Sequence, residues 1–582
     1  KENNNRFVIF VLFIIAFLSI EGCGNKETAE QGSTDAAPTQ MLSGTEQLDA
    51  MTVIDDKSVY SADDTDSIVY FYVTVRYGSE ARGTNHTFTE VNSAVRFMDE
   101  AHVNNDVLAE ALVQVGDKNG PKEGMLGYGE TRSNATIRIR GNSSSTLPVK
   151  SYKLKLDDGA GLWRGQSNIA LNKHAFDPTR FRNKLYFDIL KEIPEVPSLR
   201  TQFAILYIKD ETAGETEFKN YGFYTQVEVP TKKYLKNHGM DSSGYLYKMI
   251  SFNWEKNDAI KNFGDPDFDL AAMDNVVSCR GREDNTKLLK LIDMVNDLSI
   301  DINDIIDTYF DRENYITWLA YNILMGNVDT TMQNYYLYSP LNGNKWYFIA
   351  WDGDGALCHR QSVMMGTDKN NADWEVGISN YWNVILHQRF LKYASNRKQL
   401  AEKVEELYGW LNKDYIAAKA EEYNSIVEQY VTQMPDLLHL RYTIEERNTI
   451  VDTLAEEVKY YYEKFQSSLT ALMPFWGYQV VNEADLLRFS WGEAYDFSAK
   501  PVTYTITISK YPDMSEPIFT EKTNSSLFYE ADLSAFSTGT YYWTVLAENE
   551  DGNQVSLANR VTLDEKYYPG VAEFYIGPSG AE

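Results

Sequence analysis

A chain of 582 residues has room for about three to five domain-sized units at roughly 100–200 residues each. Its 55 Lys+Arg stand against 84 Asp+Glu, a formal charge of −29, which argues against a nucleic-acid partner because neutralising a phosphate backbone takes a basic surface. With 43% hydrophobic and 13% aromatic residues the body is globular, and Cys23, Cys279, Cys358 and seven histidines, in no CxxC or HExxH spacing, give little support to a disulfide scaffold or a zinc site.

Arg6 precedes an apolar run over 7–20 broken only by Ser19, and the run stops at Glu21-Gly22-Cys23. That is short for a spanning helix and has the layout of a secretory signal. Ile20-Glu21-Gly22-Cys23 resembles a bacterial lipobox, so 1–23 is expected to be a lipoprotein-type signal with Cys23 as the lipidation site; a plain uncleaved anchor is the alternative. Either way the body is expected outside the cytoplasm, as a membrane-anchored lipoprotein of the bacterial cell surface. Residues 24–50, rich in Gly, Ser, Thr, Glu, Gln and Ala, are read as a disordered tether. Cys279 and Cys358 either pair or stay as buried thiols.

From residue 66 the pattern alternates, with Ile68, Tyr70, Tyr72 and Thr74 on one face of a strand. Further strands are expected over 136–140, 151–156, 201–209, 222–229, 335–339 and 345–351, separated by Gly, Pro, Asn and Asp. A helix is expected over 178–193, where Phe181, Leu185, Ile189 and Ile193 recur at four-residue spacing and Pro178 suits a first turn. Within it, Arg182 and Asp188 are expected to face solvent. Helices follow over 287–307 and 312–325, and 385–475 reads as helical almost throughout. After Pro474 short alternating runs return, at 487–491, 502–509, 526–529, 540–548 and 560–563, as an antiparallel sandwich requires, with Trp491 and Trp543 as core residues.

The segment that points to chemistry is Asn327-Val-Asp329-Thr-Thr-Met-Gln-Asn334, followed across a strand, a turn and a second strand by Asp352-Gly-Asp354-Gly355. An acid, an amide five residues on and another acid after a hairpin match the needs of phosphoryl transfer. One carboxylate orients the acceptor hydroxyl, while an amide oxygen and a second carboxylate hold magnesium on the phosphates of ATP. Asp329 and Asp352 take the catalytic roles in this reading; Asn334, Asp352 and Asp354 are the candidate metal ligands, Asp354 being open between metal binding and closing the turn. Upstream, Arg140-Gly141-Asn142-Ser143-Ser144 precedes the strand carrying Lys150, Lys153 and Lys155, then a helix and two strands ending at Glu228-Val-Pro230. The order is that of a kinase N-lobe. Alternation leaves Lys153 and Lys155 on the face opposite Tyr152, Leu154 and Leu156, free to meet phosphates; Lys150 stays a third candidate, Arg140 a direct phosphate contact, and Glu228 either a hinge residue or half of an ion pair.

The blocks RGNSSSTLPVKSYKLKL, NYGFYTQVEVP and NILMGNVDTTMQNYYLYSPLNGNKWYFIAWDGDGAL are similar to those of the CotH family of atypical, spore-coat-type kinases. The resemblance implies an α+β, two-lobed kinase-like domain over 51–475, with an N-lobe at about 66–235 and a C-lobe at about 236–475 that is largely helical. It also implies an ATP-dependent protein kinase whose two aspartates fall on Asp329 and Asp352. Residues 480–565 resemble a fibronectin type III or immunoglobulin-like β-sandwich, and 566–582 are read as a tail. The expected function is Mg-dependent transfer of the ATP γ-phosphate to Ser or Thr of surface or coat proteins. A catalytically weak surface-binding or adhesion protein and an AMP transferase on the same fold are the alternatives.

Overall fold

Alternating β-branched, aromatic and charged residues build the first lobe. Strands β1 (Ile68–Arg76), β2 (Ala109–Asp117), β3 (Gly120–Pro121), β4 (Ala135–Arg140), β5 (Ser151–Leu156), β6 (Asn168–Asn172), β7 (Thr201–Asp210) and β8 (Lys219–Val227) form one sheet in the order β1-β7-β8-β6-β5-β4-β2-β3. An additional β1–β2 pairing closes it into a barrel, with β1 parallel to β7 and antiparallel to β2. Phe71, Val73, Val113, Ile137, Ile139, Tyr152 and Leu154 fill its interior. The period of two therefore turns Arg138, Arg140, Lys153 and Lys155 outward, as the alternation predicts for the two lysines. The computed structural model describes residues 55–63, 67–95, 107–141, 143–368, 371–564, 566–577 and 580–581. The expected signal with Cys23, the tether and Asn142 lie outside the described residues.

Helix α1 (Phe88–Ser93) is closed by a capping box from Thr87 and Glu90. Helix α2 (Arg182–Leu190) is shorter than the expected 178–193 because residues 173–181 form a loop with left-handed backbone at His174 and Arg180 (φ 47° and 64°). Asp177 then caps the start, its Oδ2 accepting from the Arg182 N–H at 3.1 Å. Every residue of α2 is buried, since Phe203 and Phe223 on the outer face of β7 and β8 share one apolar cluster with its Leu185 and Ile189. Arg182 and Asp188 accordingly do not face solvent. Arg182 pairs with Asp177 at 3.3 Å, and Asp188 with Lys184 at 2.8 Å and Lys191 at 2.6 Å, as buried charges must.

The second lobe runs through α3 (Lys232–Asn237), β9 (Tyr245–Met249), α4 (Leu270–Asp274), β10 (Val277–Cys279), α5 (Thr286–Asn296), α6 (Ile302–Tyr309), α7 (Arg312–Leu324), β11 (Tyr335–Ser339), β12 (Tyr347–Ala350) and α8 (His359–Met365). It ends in α9 (Ile385–Leu391), α10 (Ala394–Trp410), α11 (Lys413–Val431) and α12 (Ile444–Ser468). Its sheet has the order β10-β9-β11-β12. The expected helix over 287–307 is two, α5 and α6: Asp297 bonds forward to Ser299 and Asp301 caps α6 through Asn303, both competing with helical continuation. Cys279 and Cys358 are free thiols.

The C-terminal β-sandwich pairs β13 (Val481–Glu483), β14 (Leu486–Ser490) and β17 (Phe528–Asp532) in one sheet, and β15 (Val502–Ser509), β16 (Pro517–Asn524), β18 (Gly539–Asn549), β19 (Gln554–Ser556) and later strands in another. Trp491 and Trp543 lie in its core, as expected. β20 (Arg560–Leu563) falls on the expected strand; in 566–582, read as a tail, β21 (Lys566–Pro569) pairs with it and β22 (Ala572–Gly577) pairs with β18 through Gly539↔Ile576 to Trp543↔Ala572. The pattern that reveals it is short: Phe574 and Ile576 point into the core.

Candidate active site

Helix α7 is buried from Asn314 to its end and delivers the chain to a tight passage at Met325 to Thr330. Gly326 (φ 60°) passes so close to Tyr461 that an added Cβ would sit 2.1 Å from the ring, so this turn needs glycine. Asp329 follows in a single turn of 3₁₀ helix that Asn380 holds by donating to the Val328 carbonyl at 2.9 Å and Thr330 by donating to the Asn327 carbonyl at 2.8 Å. Both oxygens of Asp329 accept amide hydrogens, Oδ1 from Gln333 and Oδ2 from Asn334 at 2.8 Å. Asn334 (φ 59°) thus spends its Nδ2 on Asp329 and keeps Oδ1 for another partner.

The β11–β12 hairpin, in the register Tyr335↔Ala350, brings Asn334 to the same end as Trp351 and Asp352. Asp352 is itself left-handed (φ 56°), and at the next residue a Cβ would meet the Tyr186 ring at 2.2 Å, so only glycine fits at Gly353. Three groups fix this turn: Asn183 Oδ1 accepts from the Gly353 N–H at 2.9 Å, Asn327 Nδ2 donates to the Asp352 carbonyl at 3.2 Å, and the Leu357 N–H donates to the Met325 carbonyl at 2.8 Å. The two acidic segments are therefore tied to each other and to α2.

Asp329 keeps part of its surface open yet lies deep among neighbouring atoms, and this burial pushes its carboxyl up to about 7, with the charges of Asp352 and Asp354 adding to the rise. Burial and the charge of Asp354 likewise raise Asp352 to about 6, against the pull of Lys248 and Arg140. Asp354 is held below the usual carboxylate range: burial opposes this, but the hydrogen bond from His174 prevails. Acids crowded until two resist ionisation are stabilised by a cation. Among the described residues no three His, Cys, Asp or Glu side chains form a ready-made metal cage. Magnesium commonly takes only one or two carboxylates beside phosphate and water, so Asp352, Asp354 and the Asn334 amide oxygen fit it.

Facing these acids is a wall of cations. Burial pushes Lys153 down to about 7, and Arg138, Arg280, Arg140 and Lys155 push it further in the same direction. Trp351, next to Asp352, has Arg140 5.8 Å and Lys248 5.4 Å from its ring, one from the barrel and one from β9. Lys155 is exposed farther along the strand. Lys150 Nζ donates to the Ser145 carbonyl at 2.5 Å and so braces the turn over 143–146. Gly141 (φ 87°) begins that turn, where a Cβ would lie 2.0 Å from Ser144 Oγ, and Ser143 opens its 3₁₀ stretch. Glu228 is committed elsewhere: Oε1 and Oε2 bind Arg200, Oε2 also meets His238 Nε2 at 3.0 Å, and the carboxyl, despite burial, is lowered to about 2 by these partners. Of the two roles open to it, the ion pair is the one formed.

Sequence reasoning missed Lys248, Arg280, Gln333, His174 and Asn183. Only Gln333 carried a signal, since it lies between Asp329 and Asn334. Lys248 belongs to a short strand flanked by loops, and His174 and Asn183 to a stretch whose polar residues look solvated until the fold buries them.

No described helix is long and apolar enough to cross a membrane. Inner spore coat protein H of Bacillus subtilis (strain 168) is 23% identical over 236 residues, which are 40% of this chain and 62% of that protein, so the chain spans less than two thirds of this relative. The family model described as CotH kinase protein matches residues 137–467, more than half of the chain, from within β4 to the last turn of α12. That stretch holds the cation wall, the Asp329 turn and the Asp352-Gly-Asp354 turn together, and the chain belongs to the CotH kinase protein family.

Proposed function

We propose that this protein is an exported, magnesium-dependent protein kinase that transfers the γ-phosphate of ATP to Ser or Thr of surface or coat proteins. The observation that carries the reading is the opposition of the two charge sets: a like-charged wall of Arg138, Arg140, Lys153 and Lys248 against the acids Asp329, Asp352 and Asp354. Lys153 on one side and Asp329 and Asp352 on the other each resist their charged form, and the phosphates of a nucleotide with a divalent cation complement both.

The cations bind and orient the triphosphate, with Lys153 at the centre of the wall and Arg140 5.8 Å from the Trp351 ring. Magnesium, when bound by Asp352, Asp354 and Asn334, supplies charge compensation for the phosphates. Asp329, its oxygens aimed by Gln333 and Asn334, accepts the proton of the acceptor hydroxyl as the new P–O bond forms and the bond between the γ-phosphorus and the β–γ bridging oxygen breaks. A carboxyl poised near neutrality is matched to that task. Lipidation at Cys23 would keep the enzyme on the outer surface, a proposal supported by the apolar run that ends there.

Incubation of the purified protein with magnesium and ATP labelled at the γ- or the α-phosphate tests the reading. Transfer of γ-label alone to protein Ser or Thr is expected. Transfer of α-label would make the enzyme a nucleotidyl transferase, and binding without transfer of either label would leave a surface-binding protein.

A further inference from the structure

The loop between β6 and α2 is unusual for a connection: Lys173, His174, Asp177, Thr179, Arg180, Arg182 and Asn183 are all buried in it or at its end. Loops normally run over the surface because buried polar groups must each find a partner. Here two residues hold left-handed backbone, His174 and Arg180, and Arg180 secures the bend by donating to the carbonyls of Lys173, at 2.9 Å, and of His174. Strain of this kind persists where surrounding structure enforces it and gathers at functional sites.

What the loop presents is the His174 ring, with a side chain 3% exposed. Its Nδ1 lies 3.3 Å from Asp354 Oδ2 and its Nε2 3.2 Å from Asn183 Nδ2. The orientation of the Asn183 amide is settled by its other end, because Oδ1 accepts from the Gly353 N–H at 2.9 Å. Nδ2 is therefore the end facing the ring and must donate, Nε2 accepts, and the ring proton sits on Nδ1, directed at Asp354. One amide thus fixes both the backbone of the acidic turn and the tautomer of the histidine beside it.

The same contacts decide what Asp354 is for. Its own turn is closed by backbone, the Ala356 N–H donating to the Gly353 carbonyl at 3.2 Å, and among the described residues no backbone N–H donates to the Asp354 side chain. The carboxylate is held by His174 while its side chain stays 42% exposed. We propose that His174 and Asn183 are a positioning pair that aims Asp354 at the divalent cation, making Asp354 a cation ligand and not a turn-closing residue; this rests on the phosphoryl-transfer reading of the site.

The test uses the full chain and Mn²⁺ as the probe, with Mn²⁺ affinity measured by electron paramagnetic resonance in the presence of a non-hydrolysable ATP analogue and folding checked by thermal melting. His174→Ala should weaken Mn²⁺ binding by roughly 10–100-fold, the usual cost of losing a group that orients a metal ligand. Asn183→Asp, which puts an acceptor where Nε2 needs a donor, should weaken it similarly. His174→Asn places an amide N–H near the position of Nδ1–H and tolerates the left-handed backbone, so it should stay within about threefold of the original affinity. A purely structural role predicts lowered melting temperatures with unchanged Mn²⁺ affinity, and that result overturns the proposal. If His174→Ala does not fold, equal affinities for His174→Asn and Asn183→Asp overturn it. Asp354→Asn and Asp352→Ala separate the two levels: if both bind Mn²⁺ as tightly as the original chain, the phosphoryl-transfer site itself is lost, whereas weakened binding there with none in the His174 and Asn183 variants removes only the positioning pair.

Discussion

The barrel and the sandwich are both built from alternating strands, yet they treat the charges on their outward faces differently. In the sandwich, Arg488 lies 3.4 Å from Glu483 and 3.5 Å from Glu530 on neighbouring strands, with the Phe528 ring beneath it, and Lys500 pairs with Asp551. Arg488 is thus answered across the sheet and Lys500 from a loop. On β4 and β5 of the barrel cations stand beside cations, in the register Arg138↔Lys153, and Lys153 makes no ion pair among the described residues. Under the proposed function this barrel face meets the phosphates of the nucleotide, a part the sandwich face does not share. The sandwich instead directs aromatic rings at the two-lobed domain: Tyr495 and Phe497 pack on Trp382 at 5.3 and 5.7 Å, and Arg397 lies 3.9 Å over Phe497.

The largest expected effects test the barrel's side of this contrast. Asp329→Asn should lower phosphoryl transfer about 10²–10⁴-fold while leaving nucleotide binding nearly intact, because it removes the proton acceptor and no phosphate contact. Asp352→Ala should lower transfer and nucleotide affinity together. Calorimetry of magnesium–ATP binding beside a transfer assay distinguishes them, and normal turnover by Asp329→Asn would show that the turn at 328–330 is not the catalytic one.

The sandwich's side is tested by stability. Trp382 is buried between the lobe and the rings of Tyr495 and Phe497, so Trp382→Ala should cost about 3–5 kcal/mol of unfolding free energy, read from denaturant titration. A cost near zero would mean that the two bodies are coupled elsewhere. A smaller pair of effects compares the outward cations directly. Lys153→Ala should raise the KM for ATP roughly tenfold or more, as expected for losing one charged phosphate contact, and Lys155→Ala much less. Arg488→Ala in the sandwich should leave KM unchanged and move stability by less than about 1 kcal/mol, since exposed pairs contribute little. Equal KM shifts for Lys153 and Lys155 would place the phosphates farther along β5 than the Trp351 contact implies.

These contrasts also mark how far the sequence could be followed. Asp329, Asn334 and Asp352 were legible because they flank a hairpin of two short, largely apolar strands, and a carboxylate at the end of an apolar strand has few structural duties. The outward face of Lys153 was legible because a strand's period is two. The closure of the barrel was not, since it rests on a parallel β1–β7 pairing between segments more than a hundred residues apart that no local pattern announces. His174, Asn183 and Arg182 were missed for a related reason: a polar segment reads as solvated, and only the packing of α2 between the lobes buries it. Glu228 shows the converse, an acid in a suggestive place whose partners Arg200 and His238 become visible only in three dimensions.

That last cluster provides the smallest prediction, and the one that separates the two bodies by pH. His238 is fully buried with Nδ1 2.6 Å from Asp55 Oδ1 and Nε2 3.0 Å from Glu228 Oε2, while Arg200, Tyr60 and Tyr234 line the same cluster. Burial works against its charge, but the two carboxylate partners raise its pKa above the ordinary 6.5. A raised pKa in the folded state means that the stabilisation is complete below about 6.5 and is lost as pH climbs through the folded value. Glu228 has the opposite sign: lowered to about 2 from 4.5, it contributes fully above about 4.5 and is lost as pH falls towards 2. The difference in melting temperature between the original chain and His238→Gln should therefore be largest between about pH 4.5 and 6.5 and shrink on the alkaline side. The sandwich, which contains no histidine after residue 475, should contribute nothing to that difference. A difference that stays constant as pH is raised well above about 6.5 would mean that the imidazole is not the charged link between Asp55 and Glu228.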